Sequence, residues 1–147
     1  MKCEYCQKQN FEDIVYETKH WIVALSYDQT YLGRCFVISK RHCSHLSELS
    51  ENEILDFLEL VKSLESSFKK SFDAIMFNWT CLMNNAYLEK NPNPHLHWHF
   101  RPRYNHKVEF AGSMFEDNEF GKHYIRGIEK KMPKEIMNKI IEKLNLK

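Results

Sequence analysis

Residues 91 to 104, NPNPHLHWHFRPRY, place His95, His97 and His99 at every second position in a chain with only eight histidines. In an extended strand, residues i, i+2 and i+4 share a face, so the three imidazoles would form a row. Leu96, Trp98 and Phe100 would then point the other way, toward a core. Neighbouring positive charges lower one another's proton affinity, so the three rings are expected to be neutral near pH 7. A neutral imidazole can bind a metal or act as a nucleophile. The alternative is a surface strand that carries histidine by coincidence. A metal site alone would not require alternation along a single strand.

A second pattern, Cys3-Glu4-Tyr5-Cys6, stands near the first residue. Cys-x-x-Cys can be a redox pair or half of a zinc site. A redox pair is expected at the start of a helix that follows a strand, which is not its place here. A zinc site needs two further nitrogen or sulfur ligands converging from elsewhere. Cys35 and Cys81 lie in predicted strands and read as small buried apolar residues rather than nucleophiles.

These residues need a scaffold. DIVYET and WIVALSYD are rich in β-branched and aromatic residues and read as two strands, joined by a polar turn around Lys19 and His20. Cys35 to Ser39 is a third strand, entered through Gly33. SENEILDFLELVKSLESSFKKSF is the clearest helix. Ser50 and Glu53 form a capping box, and Ile54, Phe57, Leu58, Val61, Leu64 and Phe68 recur at helical spacing. DAIMFNWTCLMNN reads as a fourth strand, and the histidine row lies on a fifth. A last helix starts near Pro133 and runs through Ile136, Ile140, Ile141 and Leu144. The fold class is therefore α+β: an antiparallel sheet of about five strands backed by a long central helix and a C-terminal helix. EFAGSMFEDNEFGKHY, which contains His123, reads as a loop that covers the sheet edge rather than lining a pocket.

The chain has 147 residues, 43% of them hydrophobic and 28% charged, which suits one globular domain over 1–147. A net charge of +1 gives no electrostatic case for extended nucleic-acid or membrane binding. MKCEYCQKQN has no apolar core to serve as a secretory signal, and no run of about 20 apolar residues offers a membrane span. Five cysteines without an export signal favour thiols or metal over a disulfide framework, so a cytoplasmic location is expected.

His95-Leu96-His97-Trp98-His99-Phe100 fits the first six positions of the pattern His-apolar-His-apolar-His-apolar-apolar. On it the chain resembles the histidine triad (HIT) superfamily of nucleotide hydrolases and transferases. Arg101 departs from the pattern at its last position. LGRCFVISKRHCSHLSEL resembles the family's Gly-His-x-Leu-Val-Ile-Pro-Lys-x-His segment, with Arg34 and Ser39 in place of the usual His and Pro. FNWTCLMNN resembles the strand before the triad, and HFRPRY the exit from it.

The resemblance implies that His97 attacks the α-phosphorus of a nucleotide to form a nucleotidyl-histidine, with His99 binding phosphate oxygens. It places Asn84 at a phosphate contact and Ser26 near a ribose contact. It also implies a structural zinc held by Cys3, Cys6, His42 and His95, with His45 the nearest rival to His42 and Cys43 a more distant one. The expected substrate is a small nucleotide conjugate: a dinucleoside polyphosphate, a nucleoside phosphoramidate or a related compound. A homodimer is expected on the same grounds. The other function class is a non-catalytic nucleotide- or zinc-binding regulator that keeps the fold. Galactose-1-phosphate uridylyltransferases are much longer, and their triad ends in a residue other than histidine. Arg101 and Arg103 read as solvated or salt-bridged rather than phosphate-binding.

Overall fold

A computed structural model describes residues 3–7 and 11–146. Its elements, in chain order, are α1 (Glu4–Gln7), β1 (Ile14–Glu17), β2 (Trp21–Leu25), β3 (Cys35–Ser39), α2 (Glu51–Phe72), β4 (Met76–Thr80), β5 (His97–Arg103), β6 (Val108–Phe110), β7 (Ser113–Phe115) and α3 (Lys134–Leu144). The first five strands form one sheet in the order β1-β2-β3-β5-β4, and every neighbouring pair is antiparallel. This is the expected α+β arrangement. The histidine-bearing strand lies inside the sheet, between β3 and β4.

The alternation in β5 sets the two faces of the sheet. Leu96 and Phe100 are fully buried, and Trp98 stacks on Phe57 of α2 with ring centroids 5.1 Å apart. Trp79 and Phe77 on β4 pack against Phe100 on the same side. The opposite face carries His97, His99, Arg101 and Arg103, with Phe36 and Ile38 beside His99 and His97 on β3. Helix α2 thus fills one side with apolar rings and leaves the other side for chemistry.

Helix α2 begins as its sequence predicts. Ser50 accepts from the Glu53 amide, and the Glu53 carboxylate accepts from the Ser50 amide. Arg41 adds a two-pronged ion pair to Glu53 at 2.8 and 2.9 Å, and that bond first among its causes holds the Glu53 carboxyl down at about 2. The buried face runs through Leu60, Leu64, Phe68 and Phe72, with Phe57 half-buried. Ile54 and Leu58, expected on that face, are 46% and 48% exposed. Helical spacing alone allows either of two neighbouring stripes, and the docking angle on the sheet selects one. The carbonyls at the end of α3 accept from Ser67 and Ser71 of α2, at 2.7 and 3.0 Å, which joins the two helices.

Gly33 enters β3 with φ +82°, and a Cβ there would lie 2.0 Å from Cε1 of the fully buried Phe68. Gly33→Ala combines backbone strain with overpacking. It is expected to cost about 2–4 kcal/mol, read as a lower urea midpoint at unchanged slope. A midpoint equal to that of the wild type would contradict this account.

The segment 109–124 is not all loop. β6 and β7 form a hairpin closed by Ala111 and Gly112, both at positive φ. That pair of left-handed residues makes the tight turn typical of two-residue hairpins. Ala-Gly is not one of the usual Asn-Gly or Asp-Gly signals, so the turn was not legible from residue type. No helix among the described residues is long and apolar enough to cross a membrane.

Candidate active site and metal centre

β5 begins at His97, so His95 lies just before the strand. The chain there is still extended and tied down: the Leu96 amide donates to the Cys43 carbonyl at 2.8 Å, and its carbonyl accepts from the Ser39 amide at 3.1 Å. His95 therefore stays in line with the row but turns toward the N-terminal segment. Its Nδ1 lies 3.3 Å from Cys3 Sγ, 3.6 Å from Cys6 Sγ and 3.1 Å from His42 Nδ1. Cys6 Sγ lies 3.4 Å from His42 Nδ1. All four ligand atoms fall within 4.8 Å of one another, so Cys3, Cys6, His42 and His95 could hold one metal ion. His95 Nε2 lies 2.7 Å from the Ser39 carbonyl. A carbonyl can only accept, so the proton sits on Nε2 and the Nδ1 lone pair faces the cluster. His45 is outside the cluster, at the start of a 3₁₀ turn, and the Cys43 thiol is buried beside Ser39.

His97 is held by the same logic. Its Nδ1 lies 2.8 Å from the His95 carbonyl, which places the proton on Nδ1 and the lone pair on Nε2. Burial, first among the causes, lowers its proton affinity, so the ring is neutral near pH 7. The Tyr5 ring, between the two cysteines, lies 5.0 Å from His97 and 5.3 Å from His95. Sequence reasoning missed Tyr5, whose place over His97 depends on how the Cys-x-x-Cys turn docks.

His99 stands next, its ring 5.0 Å from that of His97, with Nε2 3.3 Å from the Leu82 carbonyl. Burial, then the charges of His97, Arg101 and Arg34, push it down to about 4. Folded His99 thus refuses a proton that the unfolded chain accepts below the ordinary value of 6.5. Stability should therefore fall as pH drops from 6.5 toward about 4, and this group adds no pH dependence above that window. His99→Gln is expected to flatten this part of the acid limb. Urea midpoints with a chelator present, to remove the metal's own proton dependence, would show it. An unchanged slope would contradict the assignment.

His97 and His99 line a cavity of about 1030 Å3 that also takes in Cys3, His95 and Asn84. Asn84 is exposed at the start of a 3₁₀ turn, Asn84–Leu88, that follows β4. Ser26 is fully buried and is not part of the wall; it accepts from the Asp28 amide, while Tyr27 and Asp28 face the cavity.

Another wall is the segment 124–129, so Tyr124, expected to be part of a loop covering the sheet edge, lines the cavity instead. The segment is pinned from below. The Lys130 amide donates to Asp28 Oδ1, the Gln29 amide donates to the Lys130 carbonyl, and the Ile125 amide donates to the Tyr31 hydroxyl. These partners lie about a hundred residues apart in sequence, so no local signal could reveal them. Arg103, also on the row's face, is fully buried and salt-bridged to Asp117, as one of its sequence readings expected.

Comparison with known proteins adds to this geometry. The family model described as the HIT domain matches residues 7–106. An uncharacterised HIT-like protein from Methanocaldococcus jannaschii is 28% identical over 106 residues, which is 69% of this chain and 79% of that one. A galactose-1-phosphate uridylyltransferase from Haemophilus influenzae is 30% identical over 93 residues, 62% of this chain but only 26% of the transferase. Among solved structures, a hypothetical histidine triad nucleotide-binding protein from Sulfolobus tokodaii superimposes with a TM-score of 0.69 at 18% identity, covering 97% of this chain and 89% of that one.

Proposed function

This chain belongs to the HIT domain family, and on that premise we propose that it is a nucleotide hydrolase or nucleotidyl transferase working through a covalent nucleotidyl-histidine on His97. The observation that carries this reading is the hydrogen bond from His97 Nδ1–H to the His95 carbonyl, which leaves the Nε2 lone pair on a ring that lines the cavity. In the first step Nε2 attacks the α-phosphorus, the bond to the leaving group breaks, and the leaving group takes up a proton. In the second, water attacks the same phosphorus, the P–N bond breaks, and a nucleoside monophosphate departs. Splitting one displacement into two lowers each barrier.

His99 lies beside His97 with its Nδ1 buried and without a hydrogen-bond partner. With Nε2–H on the Leu82 carbonyl, Nδ1 carries the lone pair, so it would donate to a phosphoryl oxygen only when the anion's charge brings a proton onto the ring. Asn84 offers a side-chain amide from the cavity rim.

Two thiolates and two imidazoles suit zinc, and zinc bonds of about 2.3 Å to sulfur and 2.0–2.1 Å to nitrogen would set tetrahedral ligand atoms roughly 3.3–3.8 Å apart. Four of the six separations, 3.1 to 3.6 Å, lie near that spacing, and all six are within 4.8 Å. With four protein ligands the site would be closed to substrate and structural. When bound, the ion would hold the Cys3–Cys6 turn, and with it Tyr5, against His95.

The substrates are a dinucleoside polyphosphate, a nucleoside phosphoramidate or a similar conjugate. The test is AMP formation from diadenosine polyphosphates and adenosine phosphoramidates, with mass spectrometry of the protein during turnover. AMP together with an adenylylated His97 is the expected result. Absence of AMP from every such substrate would leave the non-catalytic nucleotide- or zinc-binding regulator as the better description.

A further inference from the structure

Arg101 continues the histidine row by one more step of two, and the reaction proposed above gives it no task. It is only 7% exposed, and its Nη1 is buried with no hydrogen-bond partner. Its guanidinium carbon lies over the Tyr124 ring, 3.9 Å from the centroid. The pairing of Cys35 with Phe100 sets Arg34 next to Arg101, and Arg34 Nε is likewise buried and without a partner. Arg34 keeps one ion pair, to Asp28 at 2.5 Å. Both arginines line the cavity that holds His97 and His99.

Arg103, two residues on and on the same face, shows what a satisfied buried guanidinium looks like in this fold. It binds both oxygens of Asp117 at 2.5 and 3.0 Å, Asn78 Oδ1 at 2.9 Å, and the carbonyls of Glu119 and Lys122 at 2.7 and 3.1 Å. At Arg101, Nη1 has no such partner among the described residues. Burial and the neighbouring Arg34 charge push Arg101 down to about 10, the direction expected of a desolvated cation beside its like. Leaving buried N–H donors unmade is costly, and an anion placed between the two forks would offset that cost.

We propose that Arg101 and Arg34 form a subsite for a second phosphoryl group of the substrate, distinct from the one His97 attacks. The proposal rests on the reading of this cavity as a nucleotide site. Planar forks bind phosphoryl oxygens in pairs, and the contact with the Tyr124 ring helps hold the Arg101 guanidinium in place. Two residues of strand put the subsite about 7 Å beyond His99. The group could be the next phosphate of a polyphosphate chain or a phosphate on the ribose. Either presents anionic phosphoryl oxygens to the same two guanidinium forks.

Calorimetric titration of the metal-loaded protein with AMP, ADP, adenosine 3′,5′-bisphosphate and inorganic pyrophosphate tests the subsite. ADP or the bisphosphate is expected to bind at least about tenfold tighter than AMP, and whichever does identifies the source of the second group. Arg101→Leu should erase that advantage, and Arg34→Met, at a less buried position, should reduce it. Equal affinity of all three nucleotides for the wild type, or an advantage that survives both substitutions, would overturn the proposal. If no nucleotide binds, pyrophosphate still decides. Binding lost with Arg101→Leu upholds the anion subsite and sinks the nucleotide reading, and binding that ignores both variants sinks the subsite.

Discussion

His97→Ala is expected to lower the rate of AMP formation by about four to six orders of magnitude with little change in fold stability. The size of the loss follows from what is removed. Without Nε2, water must displace the leaving group directly, and no covalent intermediate can form. The small stability change follows from the location. The ring borders the cavity, with Tyr5 on one side and His99 on the other, so its deletion enlarges an existing space rather than opening a void in the core. His99→Ala should lose less, because it leaves His97 Nε2 in place and removes only the neighbouring ring proposed to meet the phosphoryl group; protein trapped during turnover should still carry the adenylyl group. A His97→Ala protein within tenfold of wild-type turnover would refute covalent catalysis at this residue.

Cys3→Ser is expected to release the metal ion, leaving well below the roughly one ion per chain anticipated by elemental analysis for the wild type. His99→Ala should keep the ion, since His99 is outside the cluster. Equal metal content in the two variants would sink the ligand assignment. The loss should reach the reaction as well, through His95. That one residue offers its imidazole to the metal cluster and its carbonyl to His97 Nδ1–H. Slackening the ring slackens the carbonyl that fixes the nucleophile's tautomer, and it also frees the turn that holds Tyr5. A fall in kcat of about 10–100-fold is expected, the usual scale for groups that orient a reactive residue. Stability should drop too, by about 4 kcal/mol where free metal stands a thousandfold above its dissociation constant in the wild type. A chelator should reproduce both effects in the wild type and neither in Cys3→Ser.

Much of this arrangement could be read from residue order because it depends on short periods. Alternation of two put His97 and His99 on one face and Leu96, Trp98 and Phe100 on the other, and pleating enforces that in any strand. The same alternation reaches Arg101 and Arg103, and it is the one signal that could have assigned Arg101 to the cavity. Charge at a strand end suggests a solvated or salt-bridged side chain, and neither arginine is solvated: Arg101 is 7% exposed and Arg103 is fully buried. The two arginines then diverged for a reason that no local pattern carries. Arg103 meets Asp117 and two carbonyls from the segment after β7, whereas Arg101 packs on the ring of Tyr124 beside the cavity.

The sequence by itself determined the five strands of the main sheet, the capped start of α2, the orientation of the histidine row and the family resemblance that names the four metal-ligand candidates. Each of these depends on neighbours within a few residues or on a contiguous motif. Only the tertiary structure decided that His42 rather than His45 reaches the cluster, that Tyr5 lies over His97, and that residues 124–129 close the cavity. Those outcomes require groups as far apart as Cys3 and His95, or Asp28 and Lys130, to meet. Packing of the whole chain selects such meetings, because the free energy that holds them is shared by every buried side chain rather than written at either end.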